Sequence, residues 1–220
     1  MIDPNNKEYI ETKNIKKGLN KIASPFAELA DWIFLHFGVR PLNIVYDILE
    51  HNKQPRLQVI FEKYKDNTSF KTAISLLPNE DKKSIIQNAF NELIKNDERF
   101  TGDNLYIISG AFEPIAKVEA NRNIESQKLD TLKEDLKGYQ IWEIKRSFSS
   151  GIFFFFSDDQ LNKNNNTETK NKFKREYLKL IKECDEFGYI DEEIFSIKLD
   201  SKENFDKNYQ SNWFYYFRDN

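Results

Sequence analysis

The sequence predicts an α+β protein built from two similar halves, each with the order helix, strand, strand, helix, strand. Three features predict it: an aromatic hairpin, a recurring order of apolar patterns, and a short stretch of sequence that occurs twice. Two strand patterns in succession indicate a hairpin, because a parallel α/β fold would alternate one strand with one helix. We therefore expect mainly antiparallel sheets.

The hairpin around which the chain is organised lies in residues 139–157. Two runs rich in β-branched and aromatic residues, 140–145 and 152–157, are joined by a polar connector that ends in Gly151. The second run contains four consecutive phenylalanines, Phe153 to Phe156. Successive side chains of a strand point to opposite faces, so this strand is expected to be covered on both faces and central in its sheet.

The other elements follow from apolar spacing and from helix start and stop residues. After an N-terminal extension or helix in residues 1–24, Ser24 and Pro25 begin a helix that Gly38 ends. The first half then covers residues 25–112, and the second covers residues 113–220. The expected elements are helix 25–37, hairpin 43–62, helix 80–95 and strand 105–112, then helix 113–137, hairpin 139–157, helix 169–187, strand 194–199 and an extra C-terminal strand at Trp213 to Phe217.

A short repeated stretch supports an internal duplication. LIKNDERF begins at Leu93 and LIKECDEF begins at Leu180, a constant shift of 87 residues that also aligns Ile107 with Ile194. A match this short can also arise by chance between two amphipathic helices, and the period exceeds that of the common solenoid repeats. If duplication holds, the halves are expected to pack about a pseudo-twofold axis.

Composition bounds the class of protein. The chain is 39% hydrophobic, 15% aromatic and 31% charged, which is typical of a folded core with a charged surface. Its formal net charge of -3 provides no general attraction to nucleic acid or to anionic membranes, so neither partner is expected. The single cysteine, Cys184, and the polar amino terminus favour a soluble cytoplasmic protein.

Catalytic and cofactor patterns are scarce. The two histidines and Cys184 do not have metal-ligand spacing, and phosphate loops, dinucleotide fingerprints and nucleophile elbows are missing from the sequence, so we expect no cofactor. Glu143 and Lys145 point the same way on a strand, as in Mg²⁺-dependent nucleases, where the carboxylate holds the metal and the lysine stabilises charge. That chemistry needs another acid, and Asp47 supplies it only if the halves share a sheet. A solvated ion pair is the favoured interpretation.

The strongest local charge is a run of acids on both sides of the C-terminus of the helix predicted to end at residue 187. We define it as the acidic cluster, and expect it to bind a basic protein partner. Tyr189 lies within this run and is a candidate aromatic anchor. The members of the acidic cluster are Glu183, Asp185, Glu186, Asp191, Glu192 and Glu193.

Three functions are consistent with these features. The first is a non-enzymatic interaction protein of the inhibitor, immunity or chaperone type, which presents the acidic cluster to its partner. The second is a Mg²⁺-dependent nuclease that uses Glu143, Lys145 and Asp47. The third is a small-ligand sensor with an aromatic pocket between the halves. The scarcity of catalytic patterns favours the first.

Overall fold

The computed structural model describes residues 3–77 and 79–219. The chain divides into two compact units, of which the first ends at Ile115 and the second begins at Ala116. Each unit contains one three-stranded sheet together with helices, which confirms the α+β class.

The first unit is built on a sheet with the strand order β1-β2-β3. β2 pairs antiparallel with β1 and parallel with β3, so the sheet is a hairpin to which a third strand is added in parallel. The elements of this unit are α1 (Lys7–Lys16), α2 (Phe26–Phe37), β1 (Asn43–Ile48), β2 (Pro55–Phe61), α3 (Tyr64–Ser75), α4 (Asn79–Ile94) and β3 (Tyr106–Ala111), and α5 (Phe112–Arg122) follows directly across the unit boundary.

The second unit repeats this sheet order with β4-β5-β6. β5 pairs antiparallel with β4 and parallel with β6. Its further elements are α6 (Ser126–Asp135), a single 3₁₀ turn (Lys137–Tyr139), β4 (Ile141–Ser147), β5 (Ser150–Phe155), α7 (Asp158–Asn164), α8 (Thr167–Glu183), β6 (Lys198–Ser201), α9 (Lys202–Tyr209) and α10 (Trp213–Asp219).

β5 is the central strand of its sheet, as the phenylalanine run predicts. Phe153 faces one core, where its ring stacks on Phe173 of α8 with the ring centroids 4.7 Å apart. Phe154 faces the opposite core, where its ring contacts Trp213 and Tyr216 of α10. Helices therefore cover both faces of the second sheet, and alternation along β5 buries successive rings in two separate cores.

The predicted helix 113–137 is wrong as a single element, because the chain breaks it into α5 and α6. Glu125 adopts an extended conformation immediately before α6, which ends helical geometry at this point. The side chain of Ile124, between the two helices, is buried. Its backbone carbonyl has no helical partner at this point and accepts a hydrogen bond from the guanidinium of Arg146 instead.

The predicted strand at 194–199 is shifted in the structure, where β6 begins only at Lys198. The alternation of apolar residues that predicted it comes from a turn instead: the Phe195 N–H donates to the Asp191 carbonyl at 2.9 Å, and the Phe195 ring stacks on Tyr177. A residue in a turn can therefore be buried at a position where an alternating sequence pattern predicts a strand residue. Ile194 is therefore not a strand counterpart of Ile107.

The predicted C-terminal strand at Trp213 to Phe217 is a helix, α10. Within it, Trp213 and Tyr216 face the core while Phe214 and Tyr215 are exposed, which is helical spacing rather than alternation. The residue before the helix, Asn212, accepts a hydrogen bond from the Phe214 N–H at 2.9 Å. Asparagine is a preferred N-cap residue, so Asn212 is the feature of the sequence that could have indicated a helix start here.

Candidate functional site

Glu143 and Lys145 form an ion pair along β4. Their charged atoms are 3.4 Å apart, and both side chains are about one-third exposed. Lys145 also lies over the ring of Trp213, with its Nζ 5.1 Å from the centroid, and Glu143 accepts a hydrogen bond from the Ile144 N–H. On the neighbouring strand the two residues lie opposite phenylalanine and isoleucine, so β5 contributes no second acid.

Asp47 lies in the first sheet, where it is held by Arg56. The guanidinium donates two hydrogen bonds to the carboxylate, at 2.5 and 2.9 Å, an arrangement typical of a structural bidentate pair. Because β1 and β4 belong to different sheets, the condition that the nuclease hypothesis set for Asp47 is not met. Within the described part of the chain, no three metal-ligating side chains come together.

We expect Glu143→Ala to leave any activity of the protein on DNA or RNA unchanged. The substitution removes one partner of a partly exposed ion pair, whose contribution to stability is about 0–1 kcal/mol. Nuclease assays with Mg²⁺, together with calorimetric titration of Mg²⁺ into the wild type, check this expectation. Metal-dependent cleavage that disappears in Glu143→Ala would restore the nuclease hypothesis.

The acidic cluster lies at the end of α8 and in the loop that follows. Lysines pair with carboxylates of the cluster: Lys128 with Glu183 at 2.5 Å, and Lys182 with Glu192 at 3.1 Å. The hydrogen bond from Lys128 to Glu183 raises the pKa of that lysine. These lysines also offset the repulsion between Glu183 and the negative end of the helix dipole.

Two other carboxylates of the cluster organise the loop. Asp185 accepts a hydrogen bond from the Ile190 N–H at 2.6 Å, and Asp191 accepts one from the Glu193 N–H at 2.8 Å. Asp191 is exposed and Asp185 is half-buried. The loop therefore has a defined shape while most of the acidic cluster remains accessible to a partner.

Tyr189 is not the exposed anchor that its position in the sequence indicates. Its side chain is only 5% exposed, and its ring stacks on Phe187 with the centroids 5.7 Å apart. A buried ring contributes to the fold of the loop and presents no area to a partner. If the cluster binds a partner as predicted, an anchor comes from other residues.

Two exposed apolar side chains near the acidic cluster fit that role, and sequence reasoning missed both. Ile194 follows the cluster directly, and Phe148 forms the tip of the hairpin between β4 and β5; each is 71% exposed. The hairpin and the loop adjoin, because the Ser150 hydroxyl donates to the Ser196 carbonyl at 2.6 Å and both segments line one depression of about 130 Å³.

The hairpin tip is held rigidly in place. Asn121 of α5 is fully buried, and its amide donates to the carbonyls of Phe148 and Ser150 at 2.9 and 2.8 Å. Its oxygen accepts a hydrogen bond from the Tyr177 hydroxyl at 2.7 Å. Phe148 itself has a φ of 46°, a left-handed conformation that glycine or asparagine adopts far more readily. A strained, exposed phenylalanine is unfavourable for folding alone by about 1–3 kcal/mol.

No helix within the described ranges is both long and apolar enough to cross a membrane. Comparison with family models, with curated proteins and with solved structures finds no match for this chain. The contacts of the chain's own residues are therefore the basis on which a function is proposed.

Proposed function

We propose that this chain is a non-enzymatic, cytoplasmic protein-interaction module, of the inhibitor, immunity or chaperone type, whose second unit binds a basic protein partner. The observation that carries the proposal is the presence of two exposed apolar side chains: Ile194 directly follows the acidic cluster, and Phe148 lies at the tip of the hairpin that is bonded to the same loop. Binding energy at interfaces is concentrated in a few apolar or aromatic anchors that are surrounded by polar residues. The half-buried thiol of Cys184, whose pKa is raised by burial, is suited to a reducing compartment.

The two kinds of residue contribute to different steps of binding. Clustered carboxylates accelerate the encounter with a basic surface and lose that effect as salt is added. Apolar anchors act mainly on dissociation, because their buried area must be exposed again before the complex separates. Asn121 holds the Phe148 backbone before any partner arrives, and such preorganisation lowers the entropy lost on binding.

We also infer that the two units arose by duplication of one αββαβ sequence. In support, each central strand pairs antiparallel with the strand before it and parallel with the strand after it. At the same shift of 87 residues, Ile86, Phe90 and Ile94 of α4 correspond to Phe173, Tyr177 and Ile181 of α8, and all six are buried.

The element that follows the third strand supports the same inference. In both units the third strand is followed directly by a helix, at Phe112 and at Lys202. An experimental structure in which the two hairpins and α4 and α8 do not superpose as one set would contradict duplication.

The proposed interaction is tested first by finding the partner. A photo-reactive amino acid at position 194 is expected to crosslink a basic protein in the native host, which mass spectrometry identifies. With that partner purified, Glu186→Gln, Asp191→Asn and Glu192→Gln together are expected to slow association about tenfold at low salt, and little at high salt. Phe148→Asn is expected to speed dissociation about tenfold without unfolding the hairpin, because asparagine tolerates the left-handed turn.

A matched control lies in the same unit. Asp130→Asn, Glu134→Gln and Asp135→Asn make the same change of charge at exposed positions of α6. This triple variant is expected to keep the wild-type association rate. The proposal is wrong if both triple variants slow association equally, or if Phe148→Asn leaves the dissociation rate unchanged.

A further inference from the structure

β3 is an outer strand of the first sheet and has an unusual composition for that position. Its six residues, Tyr106–Ala111, include no charged side chain and no proline. Each of the other outer strands, β1, β4 and β6, contains charged residues, for example Asp47, Lys145 and Asp200. Natural proteins commonly protect the edge of a sheet with charge, proline or a covering element, because its free backbone groups pair readily with another strand.

A groove of about 820 Å³ runs along this edge. It is lined by the consecutive residues 104–109 and by side chains of α3 and α4. Neighbouring side chains of a strand point to opposite faces, so a groove that touches every residue in succession lies along the edge itself. Its volume falls within the range of about 300–1,000 Å³ that is typical of ligand sites.

The described walls of the groove combine apolar area with the cation of Lys71. Phe70 and Ile74 of α3 and Ile86 of α4 supply the apolar part. Lys71, next to Phe70, is exposed and has no carboxylate within ion-pair distance among the residues that the structure describes. Among the described residues, the charge at the wall is therefore positive, and it favours an acidic side chain in whatever occupies the groove.

We propose that β3 receives an extended segment of another protein, which adds to the sheet as a fourth strand with apolar side chains in the groove and an acidic side chain at Lys71. Backbone hydrogen bonds along β3 supply affinity, and alternate side chains supply selectivity. This site lies in the first unit and does not depend on the acidic cluster, so the two proposals can fail separately.

A flexible segment fits this edge better than a second copy of the chain. The segment brings only its own backbone and side chains into the groove. A second copy that paired through its own β3 would bring with it the helices that flank that strand, and it would add another Lys71 in place of an acid. Both steric and electrostatic terms therefore favour the segment.

Selection from a library of random linear peptides against the full chain tests the proposal. We expect the selected peptides to alternate apolar residues and to carry an acid. Fluorescence anisotropy with a labelled selected peptide is expected to show Kd raised about tenfold or more by Ser109→Lys, which adds charge to the edge. Tyr106→Lys, at a side chain that is 48% exposed, makes the same change with little risk to folding.

Charge reversal gives the sharper control. Lys71→Glu is expected to raise Kd about tenfold for the acidic peptide, and binding is expected to return when the acid of the peptide is changed to lysine. Lys65→Glu, on the same helix but outside the groove, is expected to leave Kd within about twofold of the wild type. A ¹³C-labelled peptide is expected to give the infrared signature of a β-strand when bound.

Three results would overturn the proposal. The first is a selection that yields no peptide. The second is a peptide whose Kd is unchanged in both Ser109→Lys and Tyr106→Lys. The third is sedimentation that shows a dimer of the chain which Ser109→Lys separates, because the edge would then pair with a second copy. The same peptides are expected to bind equally to the variant with the acidic cluster neutralised, which separates this site from the one in the second unit.

Discussion

Phe153→Ala and Phe154→Ala are each expected to lower the free energy of unfolding by about 3–5 kcal/mol, whereas Phe156→Ala changes it by about 0.5 kcal/mol or less. Phe153 and Phe154 are fully buried in the two cores on either side of β5, while Phe156 is 52% exposed just beyond the strand. Truncation of a buried ring loses its transfer free energy and leaves a cavity. Substitution of these three phenylalanines therefore changes the free energy of unfolding by very different amounts, because only two of the rings are buried.

Urea denaturation followed by tryptophan fluorescence checks this result, since Trp142 and Trp213 lie in the core that Phe154 faces. The double variant Phe153→Ala/Phe154→Ala is expected to equal the sum of the single changes within about 0.5 kcal/mol, because the two rings pack against different partners. A large effect of Phe156→Ala, or strong non-additivity, would contradict the separation of the two cores.

The parts of the fold that sequence could predict are those with strong local patterns. The run from Phe153 to Phe156 predicts a strand covered on both faces. The structure agrees for Phe153, Phe154 and Phe155, whereas Phe156 lies just beyond the strand and is exposed. The run at Trp213 to Phe217 is equally aromatic but forms a helix. Helical spacing places Trp213 and Tyr216 together against one core, which residues distant in sequence supply. Aromatic composition alone does not distinguish a strand from a helix here, because packing against elements distant in sequence decides which of the two forms.

The candidate site was harder to predict, because its parts are distant in sequence. The hairpin that carries Phe148 meets the loop of the acidic cluster through the hydrogen bond from Ser150 to Ser196, which spans 46 positions of the chain. Tyr189 is close to the cluster in sequence, yet its ring is buried against the fold. Proximity along the chain therefore identified the charges but not the apolar anchors, which depend on how the hairpin meets the loop.

Asn121→Ala is expected to lower the free energy of unfolding by about 2–4 kcal/mol, the largest effect we expect for a polar residue of the second unit. The side chain is fully buried and makes three hydrogen bonds, to the carbonyls of Phe148 and Ser150 and to the Tyr177 hydroxyl. Each buried polar group left without its partner costs about 1–3 kcal/mol. We expect a total below the sum of three such costs, because water can hydrogen-bond to the carbonyls of the exposed turn. Tyr177→Phe, which removes a single bond from the same network, is expected to cost about 1 kcal/mol.

The pH dependence of the free energy of unfolding separates the contribution of the Tyr177 hydroxyl from that of the Asn121 amide. Burial raises the pKa of Tyr177, so the folded protein favours the neutral phenol. The stability that this provides is fully present below the unfolded pKa, about 10, and is lost as pH rises above it. Wild type is therefore expected to lose more stability than Tyr177→Phe above about pH 10, which denaturation at a series of pH values measures.

Asn121→Ala is expected to weaken binding as well as stability. Without the Asn121 amide, the backbone at Phe148 loses the contacts that hold its left-handed turn, and the exposed ring samples more conformations before it meets a partner. Asn121→Ala is therefore expected to speed dissociation of the partner by at least as much as Phe148→Asn, while Tyr177→Phe has a smaller effect. Hydrogen exchange at Ser149 and Ser150 reports the loosening of the tip directly. Unchanged exchange and unchanged dissociation in Asn121→Ala would show that the hairpin presents Phe148 without this clamp.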